Sequence, residues 1–163
     1  MDTPPPIASR SDFVAALRWG FGAALARGAR RLWCVDADFA DWPFDDPLLL
    51  AGLGEWLKLP QRQLILLAQS YEPMQRHHPR FVAWRRSWSH TVAAWSPAAG
   101  LPTLPTLPTL LLDDGPISVQ LLDAVRWRGM AQLDAHAAQQ WRIEIDAFLQ
   151  RSEAAFPVNS LGL

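Results

Sequence analysis

Lysine is all but missing from this 163-residue chain. Lys58 is the only one, and every other basic side chain except the four histidines is an arginine. Codon bias accounts for that imbalance without a function, although arginine's planar fork also suits oxyanion binding. Charge of one sign is missing as well. The formal net charge is −1, so nothing in the overall balance draws the chain to nucleic acid or to an anionic membrane. Cys34 is the single cysteine. It has no internal disulfide partner, and a lone thiol inside an apolar run packs as a small hydrophobe. No apolar run approaches the ~20 residues that span a bilayer, and the start, Met1-Asp-Thr-Pro-Pro-Pro, has no basic and apolar leader. The expectation is a cytoplasmic protein without membrane contact. The chain also lacks a glycine-rich phosphate loop, a nucleophile elbow and zinc-ligand spacing, and no cofactor is implied.

Half the residues are hydrophobic and 19% are charged, the composition of one globular domain with a real core. Residues 1–8, with three consecutive prolines, read as a disordered tail, 9–156 as a single α/β domain and 157–163 as a C-terminal tail. Ser9 or Ser11 caps a first helix, whose Phe13, Leu17, Phe21 and Leu25 fall four apart, and Gly28 ends it. Gly20 and Gly22 would let that helix lie close on a sheet.

Short apolar runs at 31–35, 63–68 and 91–95 alternate with helical stretches at 46–59 and 79–88. Helical crossovers join parallel strands. Asp113-Asp-Gly-Pro between the runs 109–112 and 117–122 has the chemistry of a hairpin turn. The expected fold is therefore a mixed, mostly parallel sheet with helices on both faces. A last helix over 133–152 places Leu133, Ala137, Trp141, Ile145 and Phe148 on one side. The tandem Leu-Pro-Thr repeat over 101–109 reads as an extended loop expansion, or as a strip for a partner.

Two loops carry chemistry. The acidic, aromatic stretch 36–46 follows the first strand, where α/β ligand crevices open. Its Asp36, Asp38 and Asp41 could hold a cation, but they lack the calcium-loop pattern, and aspartates more often cap turns. The stretch 71–81 brings together Arg76, His77, His78 and Arg80 at a helix start, the residue types of an anion site. Its bland alternative is a solvated loop in which Arg76, Arg80, Arg85 and Arg86 surround Phe81, Trp84 and Trp88. His77 and His78 are adjacent and have no acidic partner, which is not a zinc pattern.

The helix start at Asp12-Phe13, the strand entry Arg30-Arg31-Leu32, the helix start Asp45-Asp46-Pro47, the strand Leu110-Leu-Leu-Asp-Asp-Gly and the helix end Phe148-Leu-Gln-Arg-Ser-Glu come in an order that resembles an uncharacterised proteobacterial family. In that family the domain occurs alone or beside an acetyltransferase, and its architecture is similar to one half of a phospholipase-D-like enzyme. The enzymatic signature there is His-x-Lys, four residues, then Asp and usually Gly. Aligned on Asp114-Gly115, it would require histidine at Leu107 and lysine at Thr109. Aligned on Asp113, it would require them at Thr106 and Pro108. Without its nucleophile that mechanism is lost.

The resemblance thus implies a phospholipase-D-like fold with a degenerate site, acting in protein interaction or regulation. A module binding a phosphate-bearing ligand or nucleic acid is the alternative, and an enzyme built on other residues is a third class. Half-length enzymes of that kind pair to complete a site, and aromatic residues such as Trp42, Trp95 and Trp127 suit interface cores. A homodimer is therefore expected.

Overall fold

The computed structural model describes residues 3–98 and 106–156. Its centre is β1 (Arg31–Asp36), flanked by a parallel neighbour, β2 (Gln63–Ala68), and an antiparallel one, β4 (Thr109–Asp113). Beyond β2 lie the parallel β3 (Val92–Pro97) and a three-residue edge strand, β7 (Ser152–Ala154). Beyond β4 lie β5 (Ile117–Asp123) and β6 (Arg128–Leu133), both antiparallel. The seven strands run in the order β6-β5-β4-β1-β2-β3-β7. The sheet is mixed as expected, and its parallel block is the three strands joined by helical crossovers.

Alternation along the strands separates two cores. Leu32 and Cys34 face α1 (Arg10–Arg27), α2 (Pro47–Leu57) and α4 (Pro79–Arg85), whose Phe13, Leu17, Phe21, Leu53, Trp56 and Phe81 are buried with them. Val35, Leu67, Leu110 and Leu112 face the other way, against Ala138 and Ile145 of α5 (Ala135–Leu149). Helices thus cover both faces, but α5 covers the second alone. Among the described residues no helix is long and apolar enough to cross a membrane.

Local signals explain most helix ends. Ser9 accepts from the Asp12 N–H at the start of α1, and Gly28, in the left-handed region, closes it. Asp46 accepts from the Leu48 N–H ahead of Pro47. Burial pushes the Cys34 thiol well above its usual pKa, as expected of a packed thiol.

Four expectations change. The last helix begins at Ala135, because Asp134 caps it by accepting from the Ala137 N–H, and Leu133 belongs to β6. The sequence of β6, Arg-Gly-Met-Ala-Gln-Leu, lacks clean alternation, and β7 is too short to show a period. A further helix, α3 (Glu72–His77), occupies what reads as loop. The tail expected over residues 1–8 is tied down at Ile7, which is buried and bridges Gly129 at the outer edge of β6. The Leu-Pro-Thr repeat through residue 105, residues 1–2 and the C-terminal tail fall outside the described residues.

Gly20 and Gly22 prove unequal. A Cβ at Gly20 would come within 2.8 Å of Leu111 Cδ2 and 3.0 Å of Val119 Cγ2, so this is where α1 touches the sheet; at Gly22 it would meet open space. Gly20→Val should therefore destabilise by about 1–3 kcal/mol through overpacking. Gly22→Ala should stabilise by about 0.5–1 kcal/mol through helix propensity. Urea denaturation of both variants checks the pair; equal shifts in the same direction would contradict the packing.

Candidate functional site

The carboxyl ends of β1 and β2, where a crevice is expected, are filled. Phe39, in the left-handed region at φ 60°, turns its ring into a cluster with Trp42 and Phe44. Phe44 also packs on Phe81. The Ala37 carbonyl accepts from the N–H groups of Gln69 and Ser70, which zips the two loops together. The aspartates of the acidic stretch serve its turns. Asp36 accepts from the N–H groups of Asp38 and Phe39, Asp38 accepts from that of Ala40, and Asp41 pairs with Arg10. Among the described residues no three metal-ligating side chains gather.

The four residues expected to form an anion loop do not act together. Arg76 and His77 are exposed on α3. His78 is buried, and its Nε2 lies 2.8 Å from the Phe39 carbonyl. A carbonyl only accepts, so Nε2 carries the proton and His78 clamps the acidic loop. Arg80 is committed to Asp45, through its backbone N–H at 2.8 Å and Nη1 at 3.2 Å. Arg85, expected at the surface, is buried; burial lowers its pKa, and its guanidinium lies 4.5 Å over the Phe156 ring. The solvated-loop alternative fails for the same two residues, His78 and Arg85.

The positions that match the phospholipase-D signature carry packing instead. Leu107 is buried, and Thr109 donates its hydroxyl to Asp36 at 2.5 Å. The expected interface tryptophans are spent partly within the monomer. Trp42 is in the core, Trp127 packs on Phe13, and Trp95 is half-buried.

The cleft opens at the opposite end of the sheet, between the amino ends of β1 and β2 and one side of α5, with a volume of about 940 Å³. Parallel strands start at one edge, so whatever precedes each strand gathers there. Arg30 and Arg31 come from the start of β1, Gln61, Arg62 and Gln63 from the start of β2, and His90 from the approach to β3. Trp33 lines the floor, and α5 adds Gln139, Arg142, Ile143 and Asp146 at helical spacing.

Two acids also line the cleft: Asp114 shares Arg27 with Asp113, and Asp146 has no cation partner among the described residues. Asp114 pairs with Arg27 at 2.8 Å and accepts from the Arg30 N–H, and Asp146 accepts from the Gln150 side chain. Arg142 is fixed by Nη1 bonds to the carbonyls of Asp113 and Gly115, and by Nε and Nη2 bonds to Gln139. Arg62 Nε is buried with no partner among the described residues. Arg30, Arg31 and Arg62 pair with no acid among those residues. Its arginines equip the cleft to hold an anion.

Scanned against protein-family models the chain matches none, and no curated protein sequence matches it.

The sequence did contain a signal for this cleft. Each parallel strand is preceded by a basic or ionisable side chain: Arg30 and Arg31, then Arg62, then His90. The contribution of α5 follows only from which face that helix takes.

One titration follows from the filled end. Burial pushes the Asp36 carboxyl up from its usual pKa, opposed by the hydrogen bonds from Thr109, Phe39 and Asp38. The folded protein holds that proton more tightly than the unfolded chain. Asp36's contribution to stability therefore falls as pH rises from the ordinary carboxylate value through the raised one. Asp36→Asn, which keeps an acceptor for both N–H groups, should flatten that part of the stability profile and be no less stable at neutral pH. Urea midpoints across pH 3–8 check it; an unchanged slope would contradict the assignment.

Proposed function

We propose that this protein is a non-catalytic binding domain whose ligand carries phosphate, and that the cleft at the amino ends of β1 and β2 is its site. The observation that carries the reading is the gathering of Arg30, Arg31 and Arg62 without acidic partners beside the fixed Arg142. Four guanidinium groups lining one cleft repel one another, and a phosphate offsets that repulsion through charge-assisted bonds. Leu107 and Thr109 at the signature positions support the absence of phosphodiesterase chemistry, and the resemblance to a phospholipase-D-like half domain belongs to the same reading. A regulatory role fits a domain that binds such a ligand without consuming it.

Calorimetric titration with pyrophosphate at low salt should give binding that weakens steeply as salt rises. Arg31→Ala and Arg62→Ala should each cost roughly tenfold or more in affinity, the worth of one charge-assisted bond. Arg76→Ala and His77→Ala should leave it unchanged. The reverse pattern would move the site back to α3, and no binding by the wild type would end the proposal.

A second copy of the chain is the partner the sequence favours, and the β5–β6 hairpin supplies a surface for it. Leu122, Val125, Met130 and Leu133 are exposed there, and among the described residues only Ile7 pairs with the outer edge of β6. Unpaired strand edges with apolar side chains favour association. Light scattering at micromolar concentration should give twice 18.3 kDa, and Val125→Lys together with Met130→Lys should return it to the monomer mass. A monomer mass for the wild type across a dilution series would exclude the dimer.

A further inference from the structure

The cleft has more apolar surface than a phosphate can use. Trp33 stands two residues beyond Arg31 on β1, so both side chains project from the same face of the sheet. Positions two apart on a strand lie about 6.6 Å from each other, a spacing comparable to that of a base from its own 5′ phosphate. The register of β1 and β2 puts Gln63 beside Arg31 and Ile65 beside Trp33. Across the cleft, Ile143 of α5 is 56% exposed although it lines a concave surface. A ring on the sheet side and an aliphatic side chain on α5 offer a flat apolar group two surfaces in a cleft also lined by arginines. The volume of about 940 Å³ is at the upper end of the range of about 300–1,000 Å³ for small-molecule sites and far exceeds one phosphate.

Resting on the phosphate reading above, we infer that the ligand is a nucleotide, its phosphate on Arg31 and Arg62 and its base between Trp33 and Ile143. The amide of Gln63, beside Arg31, can both donate to and accept from a base edge or sugar hydroxyl. Gln139 is less available, since its carbonyl oxygen already accepts from Arg142. Arg142 contributes charge more than grip, because all three of its nitrogens donate within the protein, Nη1 to two carbonyls. The same chemistry is offered by a free mononucleotide and by a nucleotide within a single strand.

The test compares adenosine monophosphate, ribose 5-phosphate, pyrophosphate and a short single-stranded oligonucleotide by calorimetry on the full chain. Base stacking on an aromatic ring is worth about 1–3 kcal/mol, so adenosine monophosphate should bind roughly tenfold or more tightly than ribose 5-phosphate. Trp33→Leu should erase most of that difference while leaving ribose 5-phosphate unaffected. Ile143→Ala, at an exposed position that does not threaten folding, should reduce it several-fold. An oligonucleotide that binds more tightly, with a steeper salt dependence, identifies the strand as the source; one that binds no better identifies the free nucleotide. Equal affinity for adenosine monophosphate and ribose 5-phosphate would overturn the nucleotide assignment and leave the phosphate site standing. Failure of every ligand, pyrophosphate included, would remove both.

Discussion

A carboxylate with no access to solvent, Asp113, holds the two faces of this protein in register. Its Oδ1 accepts from the N–H groups of Gly115 and Ile117, closing the β4–β5 turn, and its Oδ2 accepts from Arg27 Nε at the end of α1. Its backbone carbonyl accepts from Arg142 on α5, across the sheet. The Arg27 guanidinium lies over Gly115, where a Cβ would come within 2.5 Å of its carbon, so a side chain there would have to displace Arg27. Leaving a buried carboxylate without its cation costs on the order of 3 kcal/mol. The pairing therefore fixes where α1 ends, where the hairpin turns and how α5 is held. Arg27 also takes Asp114, one of the two acids that line the cleft, and Arg30 and Arg31 are left without an acid partner among the described residues.

The location of the cleft follows from the direction of three strands. In an open α/β sheet the loops after parallel strands usually bound the ligand crevice. Here those loops are rich in aromatic residues, and their rings seal that end: Phe39, Trp42 and Phe44 pack against one another and against His78. The cleft is left at the other edge, where the strands begin. Arg30 and Arg31 at the start of β1 are exposed along the rim, whereas Arg62 before β2 is half-buried.

This division accounts for what was legible in the sequence. Five strands and the hairpin turn were readable because local chemistry settles them: apolar runs of four to six residues, helix-forming spacers, and Asp-Asp-Gly-Pro between Leu112 and Ile117. β6 was not, because Gly129, Gln132 and the exposed Met130 break the alternation, and it becomes a strand only by pairing with β5. Arg76, His77, His78 and Arg80 looked like a site because they are close in sequence, but tertiary contacts decide their roles. Asp45, thirty-five residues away, takes Arg80, and the Phe39 carbonyl takes His78. The cleft arginines showed the opposite pattern. They are scattered over residues 30–142 and meet only because parallel strands share a starting edge and α5 crosses that face.

Coverage of the second sheet face is the last constraint. Among the described residues α1 to α4 all contribute to the core on one face, and a single fifteen-residue helix serves the other. Such a helix is about 22 Å long, whereas seven strands spaced ~4.8 Å apart are wider than that. Among the described residues part of the face is therefore uncovered by helix whichever way α5 lies. The apolar centre beneath it, Val35, Leu67, Leu110 and Leu112, is closed by Ala138 and Ile145, with Trp141 and Phe148 at the margin. The shortfall falls on the starts of β1 and β2, where the outward residues are Arg31, Trp33 and Gln63. These tolerate water, since a guanidinium and an amide are solvated and an indole is amphipathic. An uncovered strand end needs side chains that remain stable when wet, and the ones present here also have the chemistry to hold a phosphate beside a flat ring.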